Sequence, residues 1–407
     1  MSDHPTTRSW AAVATLGLGV FAITTTEIMP IGLLKPMAAD LGVSDGLIGL
    51  TVTVFAFIAA IAAPTLSSLT RRIDRRTVTL VVMAVFVAGN ILTALAPNYA
   101  TLVVTRVVIG IALGQMWTLV APTAVALVHA RYAVRANTIA FSGVSLASVA
   151  GMPLGNVIGQ TFGWRAAFWC LAGLCTLTLA ALALFMSSVT PVDGMSLRRL
   201  PSLLRDRDLR ITIAVTVLVI TGAYAAYTYV TPLIVDVIGI DDDLVSVVLL
   251  AMGAAGVAGN FAAGTLLSRI PSIRLALASL VGLLASALVV VLTTTAITPL
   301  AVVALLLWAI GYAAIPIGLQ TAVLRVAPAQ RESATTIYST AFNLSIGLGA
   351  LVGALAIDHL GALAPAAVGT TLALIALAMT TALPRRAAPQ SPPQNHSGTE
   401  RSDDTTH

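Results

Sequence analysis

The chain has 407 residues, of which 57% are hydrophobic and only 10% charged, with a mean hydropathy of +0.94 and a net charge of +5. Water is the wrong solvent for such a composition, so a water-soluble fold is excluded and the chain reads as an integral membrane protein. Its apolar runs of about 20 residues or more suffice to cross roughly 30 Å of hydrocarbon as helices, and the alternation of barrel strands is absent, so the expected fold class is all-α.

Twelve such runs follow one another: 10–33, 46–69, 77–97, 101–129, 137–160, 165–188, 211–238, 244–267, 274–294, 298–321, 333–357 and 361–383. The first is too long for a secretory signal and carries Glu27 and Pro30, so it is expected to be a retained helix. With the N-terminus inside, 19 of the 22 Lys and Arg residues fall on the cytoplasmic side, Lys35 and Arg165 fall outside, and Arg106 lies within a helix. This bias predicts that both termini are cytoplasmic. The basic excess needs no nucleic-acid partner, because arginines beside anionic lipid account for it.

In the first run, Glu27 is a carboxylate at membrane depth, which costs several kcal/mol unless it is paired or faces water; it is therefore the leading functional candidate. Pro30 removes an amide donor and frees a carbonyl one turn back, near residue 26, loosening the helix beside the acid. Between the second and third runs, Asp74, Arg75 and Arg76 either latch helix ends or set topology. In the fourth run, Arg106 lies at a depth similar to Glu27. The two form either a static ion pair or a functional couple in which Glu27 binds a proton or a polar substrate group and Arg106 modulates it by proximity.

Further along the fourth run, Gln115 and Trp117 are cavity candidates, although two residues apart they cannot face one cavity equally. The fifth run carries Gly151, Pro153 and Gly155, which suit close helix packing, a conformational role, or both. Cys170 and Cys175 lie in one helix, five positions apart, and read as packing residues with no disulfide or metal pattern. In the seventh run, Tyr224 and Tyr227 share a helical face. Tyr229, nearer the outer end, also fits an interfacial aromatic belt. Asn90, Asn260, Tyr312, Gln320, Tyr338 and Asn343 are further polar groups at membrane depth, of which Tyr312 and Asn343 join the cavity candidates.

The chain divides into residues 1–9, a six-helix unit at 10–188, an arginine-rich cytoplasmic linker at 189–210, a second six-helix unit at 211–383, and a Pro/Ser/Thr/Asp-rich tail at 384–407 expected to be disordered. Four linker leucines, Leu197, Leu200, Leu203 and Leu204, suggest a segment lying at the membrane surface. Sliding the chain on itself by 198 residues matches ten of the 33 positions from 123 to 155, including Gly151 with Gly349 and Gly155 with Gly353. A parallel repeat of two six-helix bundles predicts a substrate site at their interface, reached alternately from each side.

In their order along the chain, Thr25–Leu34 with Glu27, Arg106–Trp117, Gly151–Gly155, Gly163-Trp164-Arg165, Tyr227–Pro232, and Phe342-Asn343 with Gly347, Gly349 and Gly353 resemble the proton-coupled efflux antiporters of the major facilitator superfamily. The similarity is to the branch that includes bacterial sugar and purine-ribonucleoside exporters. The resemblance implies two six-helix bundles in a bacterial inner membrane, with Glu27 as the coupling acid, Arg106 as the fourth-helix arginine associated with proton transfer, and Gly151, Pro153 and Gly155 as the fifth-helix antiporter motif. It implies no cofactor, a small-molecule substrate with protons as partners, and function as a monomer. In the loop between helices two and three, Ser67, Arg71 and Asp74 depart from the family's usual glycine, aspartate and glycine.

Other classes fit less well. The only lysine is Lys35, so no phosphate-binding loop for ATP exists in this sequence. The five histidines are scattered and the Asp241-Asp242-Asp243 run falls in an outer loop, so a membrane-embedded enzyme or a metal site lacks its cluster. A lone carboxylate in a twofold repeat suits alternating access better than a channel lined by charged rings. The expected function is export of sugars or nucleosides by proton antiport; the alternative substrates are drugs of the chloramphenicol type.

Overall fold

The computed structural model describes residues 7–70, 72–189, 205–270, 272–327 and 331–383. Most of the 189–210 linker, including its four leucines, and the whole 384–407 tail lie outside the described residues. Twelve apolar helices are described: α1 (Thr7–Gly32), α2 (Asp45–Leu69), α3 (Arg75–Ala94), α4 (Tyr99–Ala126), α5 (Ala133–Phe162), α6 (Trp164–Phe185), α7 (Arg207–Tyr227), α8 (Asp242–Arg269), α9 (Ile273–Thr294), α10 (Thr298–Val326), α11 (Arg331–Leu360) and α12 (Ala364–Thr380). The first eleven are long enough to cross a membrane by length and composition, and α12 has 17 residues. The protein is a multi-pass membrane protein.

Local chemistry sets several helix starts. Side chains of Ser44, Asp74, Asn98, Asp206 and Ser272 accept hydrogen bonds from amides in the first turns of α2, α3, α4, α7 and α9. Each satisfies a donor that the helix leaves without an internal partner. Between α5 and α6 the chain turns at Gly163, whose φ of 82° disfavours any residue with a Cβ.

Two features depart from the sequence expectation. A short helix, Leu34–Leu41, follows α1 and ends at Gly42 in the left-handed conformation. The seventh run, expected at 211–238, is helical only to Tyr227; beyond it come a short turn at Val230–Pro232 and a π-helical turn at Leu233–Val237. Pro232 cannot donate to the helical ladder, and the side chains around it bond elsewhere instead. Thr231 donates to the Ile31 carbonyl (3.0 Å), and the Tyr229 hydroxyl donates to the Ala350 carbonyl (2.9 Å).

The packing is a repeat. In the first half α2 packs on α4, α3 on α6, and α1 on α5 and α6; in the second half α8 packs on α10, α9 on α12, and α7 on α11 and α12. The glycines paired by the 198-residue offset do corresponding work. Gly151 and Gly155 of α5 meet Thr25 and Met29 of α1, while Gly349 and Gly353 of α11 meet Thr221, Tyr224, Ala225 and Tyr229 at α7 and just beyond it. Small residues there let the helix backbones approach closely. The two bundles meet along two seams, α2 against α11 and α5 against α8.

Candidate functional site

Hydrogen bonds between the bundles cluster at the end of the molecule where α1 finishes. Lys35 Nζ donates to Asp236 Oδ1 (2.6 Å), Ser44 Oγ and the Gly46 amide donate to Asp358 (2.9 and 3.1 Å), Ser246 donates to Asn156 Oδ1 (2.6 Å), and Gln160 donates to the Asp242 carbonyl (2.7 Å). An apolar cluster containing Met29, Leu33, Ile48, Trp164, Tyr229, Ala354 and Ile357 fills this end. Among the described residues, these contacts close the bundles against each other, which makes this the sealed end of their interface. The Trp164-Arg165 pair braces it from the side, because both side chains donate to the Asp40 carboxylate and Arg165 also reaches the Ala96 carbonyl (3.0 Å). The hydrogen bond from Arg165 above all holds the Asp40 carboxyl below the usual carboxylate range.

Glu27 lies one turn before Pro30 in α1, partly buried. Among the described residues it forms no salt bridge and no hydrogen bond, and it lies within electrostatic range of Tyr224 and Tyr312 of the opposite bundle. The ion pair with Arg106 considered from sequence is therefore not formed. Arg106 is 1% exposed; its Nη1 donates to the Thr26 carbonyl (3.3 Å) and its guanidinium lies over the Phe168 ring, 5.2 Å from the centroid. That carbonyl is the one Pro30 orphans, so the arginine covers the gap the proline opens beside Glu27. Asn90 donates to the Thr26 hydroxyl (3.2 Å) and to the Phe86 carbonyl (2.9 Å), which fixes the same turn from α3. Arg106 Nε and Nη2, the Thr24 and Thr25 hydroxyls and Gln115 Oε1 are buried without a hydrogen-bond partner.

Across the interface the second bundle presents rings. Tyr227 stacks on Tyr312 with centroids 4.6 Å apart and planes 16° apart; Tyr224 meets both edge-on at 6.3 and 5.9 Å, and Trp308 meets Tyr227 edge-on at 6.3 Å. Offset-stacked and edge-to-face pairs of this kind are the favoured aromatic arrangements. Tyr224 and Tyr227, which share a helical face, are thus brought together with Tyr312. Trp308 was missed, because a lone tryptophan in an apolar run carries no signal of its own.

The remaining candidates fall elsewhere. Trp117 stacks on Phe141 of the first bundle (6.3 Å), and Gln115 is buried with its amide directed at Thr118 (3.4 Å). Asn343 donates to the Ser339 carbonyl of its own helix (2.9 Å). Tyr229 is buried at the sealed end and belongs to no interfacial belt. Gly151 lies in a π-helical turn, Ala147–Gly151, that interrupts α5 just before Pro153. Asp74 caps α3 and accepts from Ser188 (2.5 Å) and the Val189 amide (3.0 Å), while the Arg76 guanidinium donates to the Ala183 carbonyl (2.7 Å) and the Arg75 amide to the Val189 carbonyl (3.2 Å). The loop thus latches α3 to the end of α6. The Ser188 hydrogen bond above all holds the Asp74 carboxyl below its ordinary value.

A twofold pair of six-helix bundles, closed against each other at one end, with a carboxylate at membrane depth within electrostatic range of tyrosines of the other bundle, fits a membrane transporter. The sequence pattern of the Major Facilitator Superfamily matches residues 16–331, and the chain belongs to that family. Its members are transporters, not enzymes. The fold resembles the crystal structure of the human organic anion transporter MFSD10 (TETRAN), with a TM-score of 0.66 and 18% identity over 92% of this chain and 100% of that one. It also resembles a bacterial homolog of the human lysosomal transporter Spinster in an inward-facing, unoccupied conformation, with a TM-score of 0.69 and 14% identity over 92% of this chain and 95% of that one.

Proposed function

We propose that this chain exports small organic compounds from the cytoplasm of a bacterium in exchange for protons, with substrate and proton competing for Glu27. The observation that carries this reading is a carboxylate at membrane depth that has no ionic partner among the described residues and lies within electrostatic range of Tyr224 of the opposite bundle. A carboxylate so placed alternates between a protonated, uncharged state and a charged, substrate-holding state at modest cost. Arg106 is a positioning residue in this scheme, acting through the Thr26 carbonyl.

The arginine distribution supports an inner-membrane orientation with both termini cytoplasmic, which makes the sealed end the outer one and the described state inward-facing. A complete pair of bundles in one chain supports function as a monomer. For substrates, the unpartnered Thr24 and Thr25 hydroxyls and Arg106 guanidinium nitrogens close to Glu27 suit the sugars or nucleosides expected from sequence. The ring cluster of Tyr224, Tyr227, Trp308 and Tyr312 favours ring-bearing compounds among them, nucleosides over simple sugars, and also supports the second reading, efflux of aromatic drugs such as chloramphenicol.

The test is uptake into everted vesicles driven by a proton gradient, across a panel of sugars, nucleosides and antibiotics. Glu27→Gln is expected to abolish gradient-driven transport of whichever compound is carried. Unchanged coupled transport in that variant would refute the role given to Glu27.

A further inference from the structure

Asn156 lies on α5 where both bundles meet the end of α1, and it is 3% exposed. Its two amide atoms serve different partners. Nδ2 donates to the Gly32 carbonyl of α1 (2.7 Å), within its own bundle, while Oδ1 accepts from the Ser246 hydroxyl of α8 (2.6 Å), in the other bundle. Ser246 is itself buried.

The Gly32 carbonyl belongs to the last turn of α1, whose acceptors a helix leaves without internal donors. The neighbouring Ile31 carbonyl accepts from Thr231 of the second bundle (3.0 Å). Adjacent carbonyls of one turn are thus held from opposite bundles, and packing decides which hold is the lasting one. A Cβ at Gly32 would strike Met152, and Cβ atoms at Gly155 and Gly159 would strike Met29 and Leu33, so α1 and α5 are in close contact along residues 29–33. Small residues at such a contact keep two helices together as one unit. Glu27 rides on that unit, five residues before Gly32 and roughly 7.5 Å along the helix.

We infer that Asn156 is a positioning residue of the transport cycle, fastening the α1–α5 unit that carries Glu27 to the second bundle while the sealed end is closed, with Ser246 as the partner released when it opens. The inference rests on the alternating-access reading and deepens it by assigning residues to the closing step. Rocking of the bundles parts α5 from α8. That motion breaks Asn156–Ser246 and admits water to Oδ1, whereas Nδ2 stays with Gly32. Removing the Ser246 hydroxyl therefore leaves a buried acceptor unpaired in the closed state alone, which makes closing costlier. The Lys35–Asp236 pair at the same end behaves differently, because its side chains are 30% and 42% exposed and are hydrated in either state.

The experiment is double electron–electron resonance on the full-length protein in lipid nanodiscs. Nitroxides are placed at two exposed positions of the sealed end, Ala39→Cys in the first bundle and Leu363→Cys in the second, with Cys170→Ala and Cys175→Ala as background. Ser246→Ala is expected to raise the long-distance population roughly two- to tenfold over the parent. Lys35→Ala should raise it by a smaller factor. Asn156→Ala should shift it in the same direction as Ser246→Ala, and adding Ser246→Ala to Asn156→Ala should produce no further change, because the partner is already gone. A distribution unmoved by Ser246→Ala, a shift no larger than that of Lys35→Ala, or full additivity of the two substitutions would overturn the inference. The Ser246→Ala shift is expected in Glu27→Gln as well, so failure of the proton-coupling role would leave this result standing.

Discussion

The two bundles share one scaffold and carry opposite chemistry. Where α1 holds Glu27 between its glycine contacts at Thr25 and Met29, the corresponding stretch 221–229 has tyrosines and no charge. Where α4 buries Arg106, the residue 198 positions on is Ala304, and Gly110 and Gly114 correspond to Trp308 and Tyr312. Duplication thus supplied the geometry, and divergence gave the charged groups to one half and the rings to the other. In the first bundle the charge has a proline-freed carbonyl for the arginine to cover and an aromatic face beneath it.

That asymmetry can be broken most severely by giving the second bundle a charge. Ala304→Arg places an unsupported guanidinium where Ala304 is 0% exposed, at a cost on the order of 3 kcal/mol or more, and is expected to abolish production of folded protein as judged by size-exclusion chromatography. The glycine pairs sharpen the comparison at the next level. A Cβ at Gly349 meets the Thr221 carbonyl and the Ala225 amide, backbone atoms that cannot turn aside, whereas one at Gly151 meets only the Thr25 side chain. Gly349→Ala should therefore destabilise by about 1–3 kcal/mol and Gly151→Ala by less, read as the difference in apparent Tm in detergent.

Smaller effects follow from the rings and the seal. Tyr312→Ala removes the stack with Tyr227 and should weaken binding of a ring-bearing substrate by about 0.5–1.5 kcal/mol, measured by titration calorimetry, with a lesser change for a ring-free polyol. Lys35→Ala breaks a partly exposed ion pair with Asp236 that is worth about 0–1 kcal/mol. It should only slightly raise labelling of a cysteine introduced near Asp358.

Much of this arrangement was legible in the sequence. Run lengths located the twelve helices, the 198-residue offset found glycine pairs that pack equivalently, and Pro30 pointed to a freed carbonyl near residue 26. What covers that carbonyl was not legible, because hydropathy reports the depth of Arg106 but not its direction, and similar depth suggested an ion pair with Glu27. The break in α7 was signalled by Pro232, yet a continuous apolar run concealed how early the helix ends.

The central claim is that Glu27 alone couples proton to substrate while the second bundle recognises the substrate's ring. Proton release on substrate binding to purified protein in weakly buffered detergent tests it most directly. Wild-type protein should release protons as substrate binds, and Glu27→Gln should still bind through the ring cluster but release none; proton release from Glu27→Gln equal to that of the wild type would contradict the account.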